Sequence, residues 1–325
     1  MVRMKVKYSA GFYCIVLLLS IASLSARGTH EDGFVPTRSV EVVVPAAEGG
    51  GSDLLATTIV DIVQQHHLTE VPLTIVHRPG GSGSAGFAYA NSRPDPDHTL
   101  MVVNTPHLLV LHDGGRNRHL VPIARLAVDP ILFVVPSDSP YREFNDLCTQ
   151  TGGLDLLVGT ADSFDRYCVL QLNAKLAGNL RTIYYNSSSF IVTGMTHGQL
   201  DAGILNPSEA VEGIASGKLR VLAAFTPIVP SDMVPAVPTL AELGIDGLDY
   251  EISRYVMGSP AMSNEARAYW HGVFSNLVQE PDWIDGYVRA NLLSEAFLDM
   301  DETQTYLVDI ELPWVREIWE SGFLQ

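Results

Sequence analysis

Short β-branched runs that end in glycine-rich or proline-marked turns and lead into amphipathic stretches recur along the chain, which restricts it to α/β winding. Val40 to Val44 reads as a strand, Asp53 to Gln65 as a helix and Leu73 to Val76 as a strand; a short helix at Gly86 to Asn91 precedes a strand at Leu100 to Val103. An extended segment then runs from Ile123 to Val135, broken by Asp129-Pro130. Proline inside a strand belongs at an edge, a bulge or a crossing between sheets, so a domain crossover is expected there. A second unit repeats the style, with helices at Tyr141 to Gln150, Ser163 to Ala177, Ile191 to His197 and Pro207 to Ser216. Its strands are expected at Leu154 to Val158, Thr182 to Tyr185, Ala202 to Leu205 and Arg220 to Phe225. A proline-rich connection from Pro227 to Pro238 and a short helix at Leu240 to Leu243 lead to a return strand at Tyr250 to Met257. The remainder reads as helical, Ser263 to Gln279, Pro281 to Leu293 and Glu302 to Ser321, with Pro313 expected to kink or break the last. The domain expectation is 27–126 plus 251–325 for one lobe and 127–250 for the other.

The 325 residues amount to about two domains at roughly 150 residues each. Lys and Arg number 20 against 37 Asp and Glu, a formal charge of −17, which argues against nucleic acid because phosphate neutralisation needs a basic face. Arg3, Lys5 and Lys7 precede an apolar run from Phe12 to Leu24, and small residues cluster around its end at Ala22, Ser23, Ser25 and Ala26. This is the pattern of a secretory signal, 1–26, and the run is shorter than the ~20 residues of a spanning helix. Its removal takes those three basic residues with it and leaves a charge of −20. An extracytoplasmic, periplasmic location is expected.

Beyond that segment the cysteines are Cys148 and Cys168, on different expected helices. Export permits a disulfide, but two separate buried thiols is the favoured reading. His98, His107 and His112 with Asp113 lack the spacing of a metal site, so no metal and no cofactor is expected.

Three strand-to-helix turns carry the functional signal. The first, Pro45-Ala46-Ala47-Glu48-Gly49-Gly50-Gly51-Ser52-Asp53, places three glycines before a helix, whose free N–H groups and dipole suit an anion. No Lys-Ser/Thr follows, so a carboxylate fits better than a nucleotide phosphate. The alternative is that the glycines only turn the chain and Asp53 only complements the dipole. The second, His77 to Gly86, contains G-x-G-x-x-G at Gly81, Gly83 and Gly86. The strand after it ends in Asn104-Thr105 rather than in a ribose-binding acid, and Ser82 breaks the G-x-S-x-G pattern around Ser84. Enzymatic readings are therefore disfavoured. The third, Gly159-Thr160-Ala161-Asp162-Ser163, lies in the second unit. Two such turns facing each other across a cleft describe a clamshell receptor, unless Asp162 or Ser163 is only a helix N-cap.

Pro45 to Asp53 resembles the P-F-x-P-G-G-x-x-D turn of the substrate-binding receptors of tripartite tricarboxylate transporters, the Bug family. Arg78 to Gly86 is similar to that family's N-R-P-G-A-G-G-x-x-G, and Asp97-His98-Thr99-Leu100 to its D-G-Y-T-L. Pro122 through Pro136, Gly198 to Asp201, Ser216 to Arg220 and Val237 to Gly244 follow in the family's order, so the likeness covers nearly all of the chain after residue 26. The resemblance implies a type II periplasmic-binding-protein fold, two α/β lobes with a ligand cleft between them. It also implies a non-enzymatic, monomeric receptor that holds a small carboxylate-bearing solute by backbone N–H groups and delivers it to integral membrane subunits. A receptor feeding a signalling partner is the alternative, and a secreted enzyme a weaker one. By motif match the first set of ligand residues is Ala46, Ala47, Gly50, Gly51 and Ser52, and the facing set is Gly159, Thr160, Asp162 and Ser163. Glu48, Asn104 and Thr105 complete the candidates. Glu48 stands where the family has proline, His77 where it has asparagine, and Asp162, Asp165 and Arg166 charge a turn that is usually uncharged. If Glu48 or Asp162 faces the pocket, an amino-acid-like or monocarboxylate solute is favoured over citrate; if both lie at the rim, neither acid selects.

Overall fold

A computed structural model describes residues 33–112, 120–149, 155–176, 178–185, 187–226 and 237–320, and every element lies in the unit Phe34–Gln325. The expected signal segment 1–26, Asp113 and most of the proline-rich connection lie outside the described residues, as does the His112 side chain. Among the described residues no helix is long and apolar enough to cross a membrane.

The strands are β1 (Val40–Val44), β2 (Leu73–His77), β3 (Thr99–Asn104), β4 (Val121–Asp129), β5 (Leu132–Pro136), β6 (Asp155–Thr160), β7 (Asn179–Tyr184), β8 (Ala202–Leu205), β9 (Leu219–Ala224), β10 (Ile252–Gly258) and β11 (Ser294–Leu298). The helices are α1 (Gly51–Gln65), α2 (Ser84–Asn91), α3 (Thr105–His112), α4 (Phe144–Cys148), α5 (Ser163–Leu176), α6 (Ser188–Thr196), α7 (Pro207–Ala215), α8 (Asn264–Leu277), α9 (Pro281–Trp283), α10 (Met300–Tyr306) and α11 (Leu312–Glu320). Wide turns of π-helix follow α9 (Ile284–Arg289) and join α10 to α11 (Leu307–Glu311). Pro313 accounts for the second, because it has no N–H to return to the preceding turn.

Two sheets result. The first has the order β11-β4-β10-β3-β1-β2, with β1 parallel to β2 and β3 and with β10 antiparallel to β3 and β4. The second has the order β7-β6-β8-β5-β9, with β6 parallel to β7 and β8 and with β5 antiparallel to β8 and β9. The chain leaves the first sheet at Asp129, enters the second at Leu132, and returns at Ile252.

Alternation along each strand divides the cores. Val40, Val42 and Val44 pack with Leu55, Ile59 and Trp270 beneath α1 and α8, whereas Val43 joins a core that continues into the second sheet through Phe133, Val158 and Leu172. Val315 and Ile318 of α11 belong to that shared core, and Trp314 meets Tyr250 edge-on at 5.6 Å. Two expectations differ. Leu240 to Leu243 is a pair of tight turns rather than a helix, and the stretch after Pro281 yields β11, whose short run of Ser-Glu-Ala-Phe-Leu has no alternating signature. Cys148 and Cys168 are separate free thiols, one exposed and one buried.

Candidate functional site

The first turn is built around glycine. Gly49 has φ +84°, a left-handed conformation that costs a side-chain-bearing residue energy. Gly50 then enters α1 in an extended conformation with no side-chain cap on the helix. Gly50 and Gly51 are exposed, and Ser52 is buried at 7% exposure. The first N–H groups of α1 thus lack the side-chain oxygen that usually occupies them. Asp53 is turned away from that role. Its Oδ2 accepts the Gly49 N–H at 2.7 Å and its Oδ1 accepts His77 Nε2–H at 2.7 Å. The Gly49 hydrogen bond, and then that of His77, holds the Asp53 carboxyl below its ordinary range. His77 Nδ1 lies 3.7 Å from Glu48 Oε1, and the Glu48 side chain is 83% exposed. Glu48 therefore stands at the rim beside His77.

The second glycine-rich turn supports the first. A Cβ at Gly86 would stand 2.8 Å from Pro45 Cβ, and one at Gly83 would stand 2.9 Å from His107 Cδ2. These glycines of the G-x-G-x-x-G pattern admit α2 against Pro45. Ala46 is half-buried and Ala47 exposed above this contact.

Arg254, on β10, was not singled out by sequence reasoning. Its Nη1 donates to the Gly51 carbonyl at 2.9 Å and its Nη2 to the Asp129 carboxylate, with side chains only 10% and 4% exposed. The nearest sequence signal is a lone arginine in a strand that is buried at every position. Burial pulls the guanidinium down, but the Asp129 charge and hydrogen bond together with the Tyr287 and Glu209 charges hold it up; burial pushes the Asp129 carboxyl up against the pull of Arg254.

The second-unit turn carries its own anions. Asp162 Oδ1 accepts the Asp165 N–H at 2.8 Å, and Asp165 Oδ2 accepts the Ala161 N–H at 2.9 Å. This reciprocal capping realises the N-cap alternative for Asp162. Asp162 is half-buried and Asp165 buried, while Ser163 is exposed. Burial first, and then the Asp162 and Glu209 charges, push the Asp165 carboxyl well up; burial likewise raises Asp162. At the start of α7, Glu209 Oε2 accepts the Asn206 N–H at 2.9 Å and its Oε1 the Ser188 hydroxyl at 2.5 Å. Asn206 Nδ2 donates to the Pro130 carbonyl at 3.0 Å, which joins α7 to the β4–β5 crossing. Glu209 was also missed, although Asn206-Pro207-Ser208-Glu209 is a recognisable helix start.

Gly159, Thr105 and Asn104, all expected ligand residues, have other employment. Gly159 pairs within the sheet, and a Cβ there would lie 2.7 Å from both Ile191 and Leu200. Gly159→Ala is expected to cost about 1–3 kcal/mol by overpacking, and an unchanged urea midpoint would show the site has slack. Thr105 is fully buried; its hydroxyl donates to Glu311 and accepts the Ser253 N–H at 2.8 Å. Thr160 is fully buried, and its hydroxyl has no partner. Asn104 is half-buried and exchanges hydrogen bonds with His107, accepting the His107 N–H at 3.3 Å and donating its own N–H to Nδ1 at 3.2 Å. Among the described residues no group of three or more His, Cys, Asp or Glu is placed to hold a metal ion.

No family model matches the chain. A UPF0065 protein in the tcbD-tcbE intergenic region of Pseudomonas sp. strain P51 is 25% identical over 243 residues, 72% of this chain and 71% of that protein. Protein BugT of Bordetella pertussis is 26% identical over 230 residues, 64% and 67% of the two chains. The chain is thus similar in sequence to a Bug protein over about two thirds of its length. Among solved structures, a TctC solute-binding protein from Polaromonas, without ligand, superposes with TM-score 0.72 at 20% identity, over 89% of this chain and all of that one. R. palustris Rpa4515 with adipate gives 0.72 at 19% identity over 88% and 97%. MatC from Rhodopseudomonas palustris with bound malate gives 0.64 at 20% over 89% and 98%. The chain thus has the periplasmic-binding-protein fold, with α1 and α5 starting at the carboxyl ends of β1 and β6.

Proposed function

We propose that this protein is an extracytoplasmic receptor that closes around a small carboxylate-bearing solute and passes it to the membrane subunits of a tripartite transporter. The observation that carries the reading is the exposed start of α1, without a side-chain cap and backed by the Arg254 guanidinium. Uncapped N–H groups beside a buried cation are a ready carboxylate site. The adipate and malate bound by two proteins of the same fold are of this chemical class. Ala46, Ala47, Gly50, Gly51 and Ser52 form the first half of the site, and Asp162, Ser163 and Glu209 the second. Export by segment 1–26, a periplasmic location, a monomeric state and the lobes 27–126 plus 251–325 and 127–250 belong to the same reading. Closure then turns on the crossings at Asp129–Ile131 and Tyr250–Ile252. Thr226 ties these together, its hydroxyl accepting the Ile131 N–H at 2.8 Å and donating to the Tyr250 carbonyl at 3.1 Å.

A thermal-shift screen with mono-, di- and tricarboxylates and amino acids is expected to raise the melting temperature for one class, by mass action on the folded state. The same solute is expected to reduce the radius of gyration in small-angle scattering. Catalytic turnover without stoichiometric binding would overturn the reading.

A further inference from the structure

A run of charged groups links the start of α1 to the start of α5. It begins positive, with the α1 N–H groups and Arg254, whose Nη1 is hydrogen-bonded to the Gly51 carbonyl at 2.9 Å. It turns negative at Asp129, which pairs with Arg254 and sits next to Pro130, the residue held by Asn206 of the α7 start. Glu209 follows in that same helix start, within electrostatic reach of Asp129, Asp162 and Asp165.

Three buried polar atoms in this run lack partners, Arg254 Nε being the first. Asp129 is 3% exposed; Arg254 occupies one of its carboxylate oxygens, and the other, Oδ1, accepts nothing. Thr160, fully buried at the end of β6 and two residues before Asp162, has an unpartnered hydroxyl. Buried polar atoms are rarely left unsatisfied without a functional reason. A second carboxylate on the solute would supply only acceptors and would add to the repulsion among Asp129, Glu209, Asp162 and Asp165. A protonated amine supplies three donors and no acceptor. A metal ion is disfavoured, since among the described residues no three such side chains converge to coordinate one. The raised carboxyls of Asp162, Asp165 and Glu209 fit an anionic group that gains from a cation.

We propose that the solute carries a protonated amine as well as its carboxylate, the carboxylate at the start of α1 beside Arg254 and the amine between Asp129, Glu209 and the Asp162–Asp165 turn. This rests on the receptor reading above and narrows it to amino-acid-like solutes.

The test is calorimetry on the purified protein with matched pairs that differ only in the amine: glutamate and glutarate, aspartate and succinate, 4-aminobutyrate and butyrate. In at least one pair the amino member is expected to bind ten-fold or more tightly than its partner. Glu209→Gln keeps an acceptor for Ser188 or Asn206 and is expected to erase most of that preference. Should Glu209→Gln fail to fold, Asp162→Asn serves the same comparison, because asparagine caps a helix as well as aspartate does. Equal or tighter binding of the amine-free members, or a preference untouched by the variant, overturns this inference and leaves the receptor reading standing. Binding of no member of any pair removes both.

Discussion

Replacing Arg254 with methionine is expected to destabilise the protein by about 3–5 kcal/mol, the cost of breaking a buried pair by removing one partner. Asp129 would remain at 3% exposure with neither of its oxygens satisfied, beside Glu209 rather than a guanidinium. The double replacement Arg254→Met with Asp129→Leu is expected to recover most of the loss, since two apolar side chains leave no stranded charge. Urea unfolding of the two variants and the parent measures this directly. A single variant within 1 kcal/mol of the parent would mean that the pair is hydrated and does not brace the β4–β5 crossing. The same guanidinium holds the Gly51 carbonyl, so the single variant is also expected to weaken carboxylate binding at the α1 start.

The second large effect concerns pH. Glu311 lies in the π-helical turn before α11, fully buried, and accepts hydrogen bonds from the Thr105 and Tyr255 hydroxyls. Burial pushes its carboxyl from 4.5 to about 7. Those hydrogen bonds act in the opposite sense, Glu251 adds to the rise, and Arg125 opposes it. A carboxyl raised on folding contributes stability that is fully present below its unfolded value and is lost as pH climbs through the folded one. Unfolding free energy is therefore expected to fall by about 3 kcal/mol between pH 4.5 and 8 from this group alone, at 1.36 kcal/mol for each unit. Asp162, Asp165 and Glu209 are raised as well and contribute with the same sign. The diagnostic quantity is accordingly the difference between the parent and Glu311→Gln, which cannot ionise and keeps an acceptor for Tyr255 or Thr105. Urea midpoints at pH 5, 6, 7 and 8 are expected to slope less steeply in the variant, and parallel slopes would place the titration elsewhere.

The Glu311 network also shows why Thr105 misleads a reader of the sequence. A polar residue at the end of a strand is a common ligand position, and Asn104-Thr105 sits at the end of β3. Its hydroxyl is taken by partners 146 to 206 residues away, Glu251, Ser253 and Glu311. Gly159 is a similar case. The glycine suggested a close ligand, but the close neighbours are Ile191 and Leu200, which reach it from α6 and the turn after it.

Local periodicity and turn chemistry determined the alternation of strands and helices, the break at Asp129-Pro130, the glycine-rich entry into α1 and the N-cap option for Asp162. Each of these depends on neighbours within about ten residues, where sterics and hydrogen-bond reach act directly. The resemblance across the chain then carried the fold class. Only the tertiary structure decided which charges meet. Arg254 finds Asp129 and Gly51 across 125 and 203 residues, and Glu209 comes within electrostatic reach of Asp129 and Asp162, its helix start being held to the Pro130 carbonyl by Asn206. The motif left Glu48 open between pocket and rim, and the tertiary structure puts it 83% exposed and 3.7 Å from His77. β11 is of the same kind, fixed by its pairing with β4 rather than by its own residues. Burial and long-range pairing are properties of the assembled chain, and they set the electrostatics of the candidate site, which no window of sequence contains.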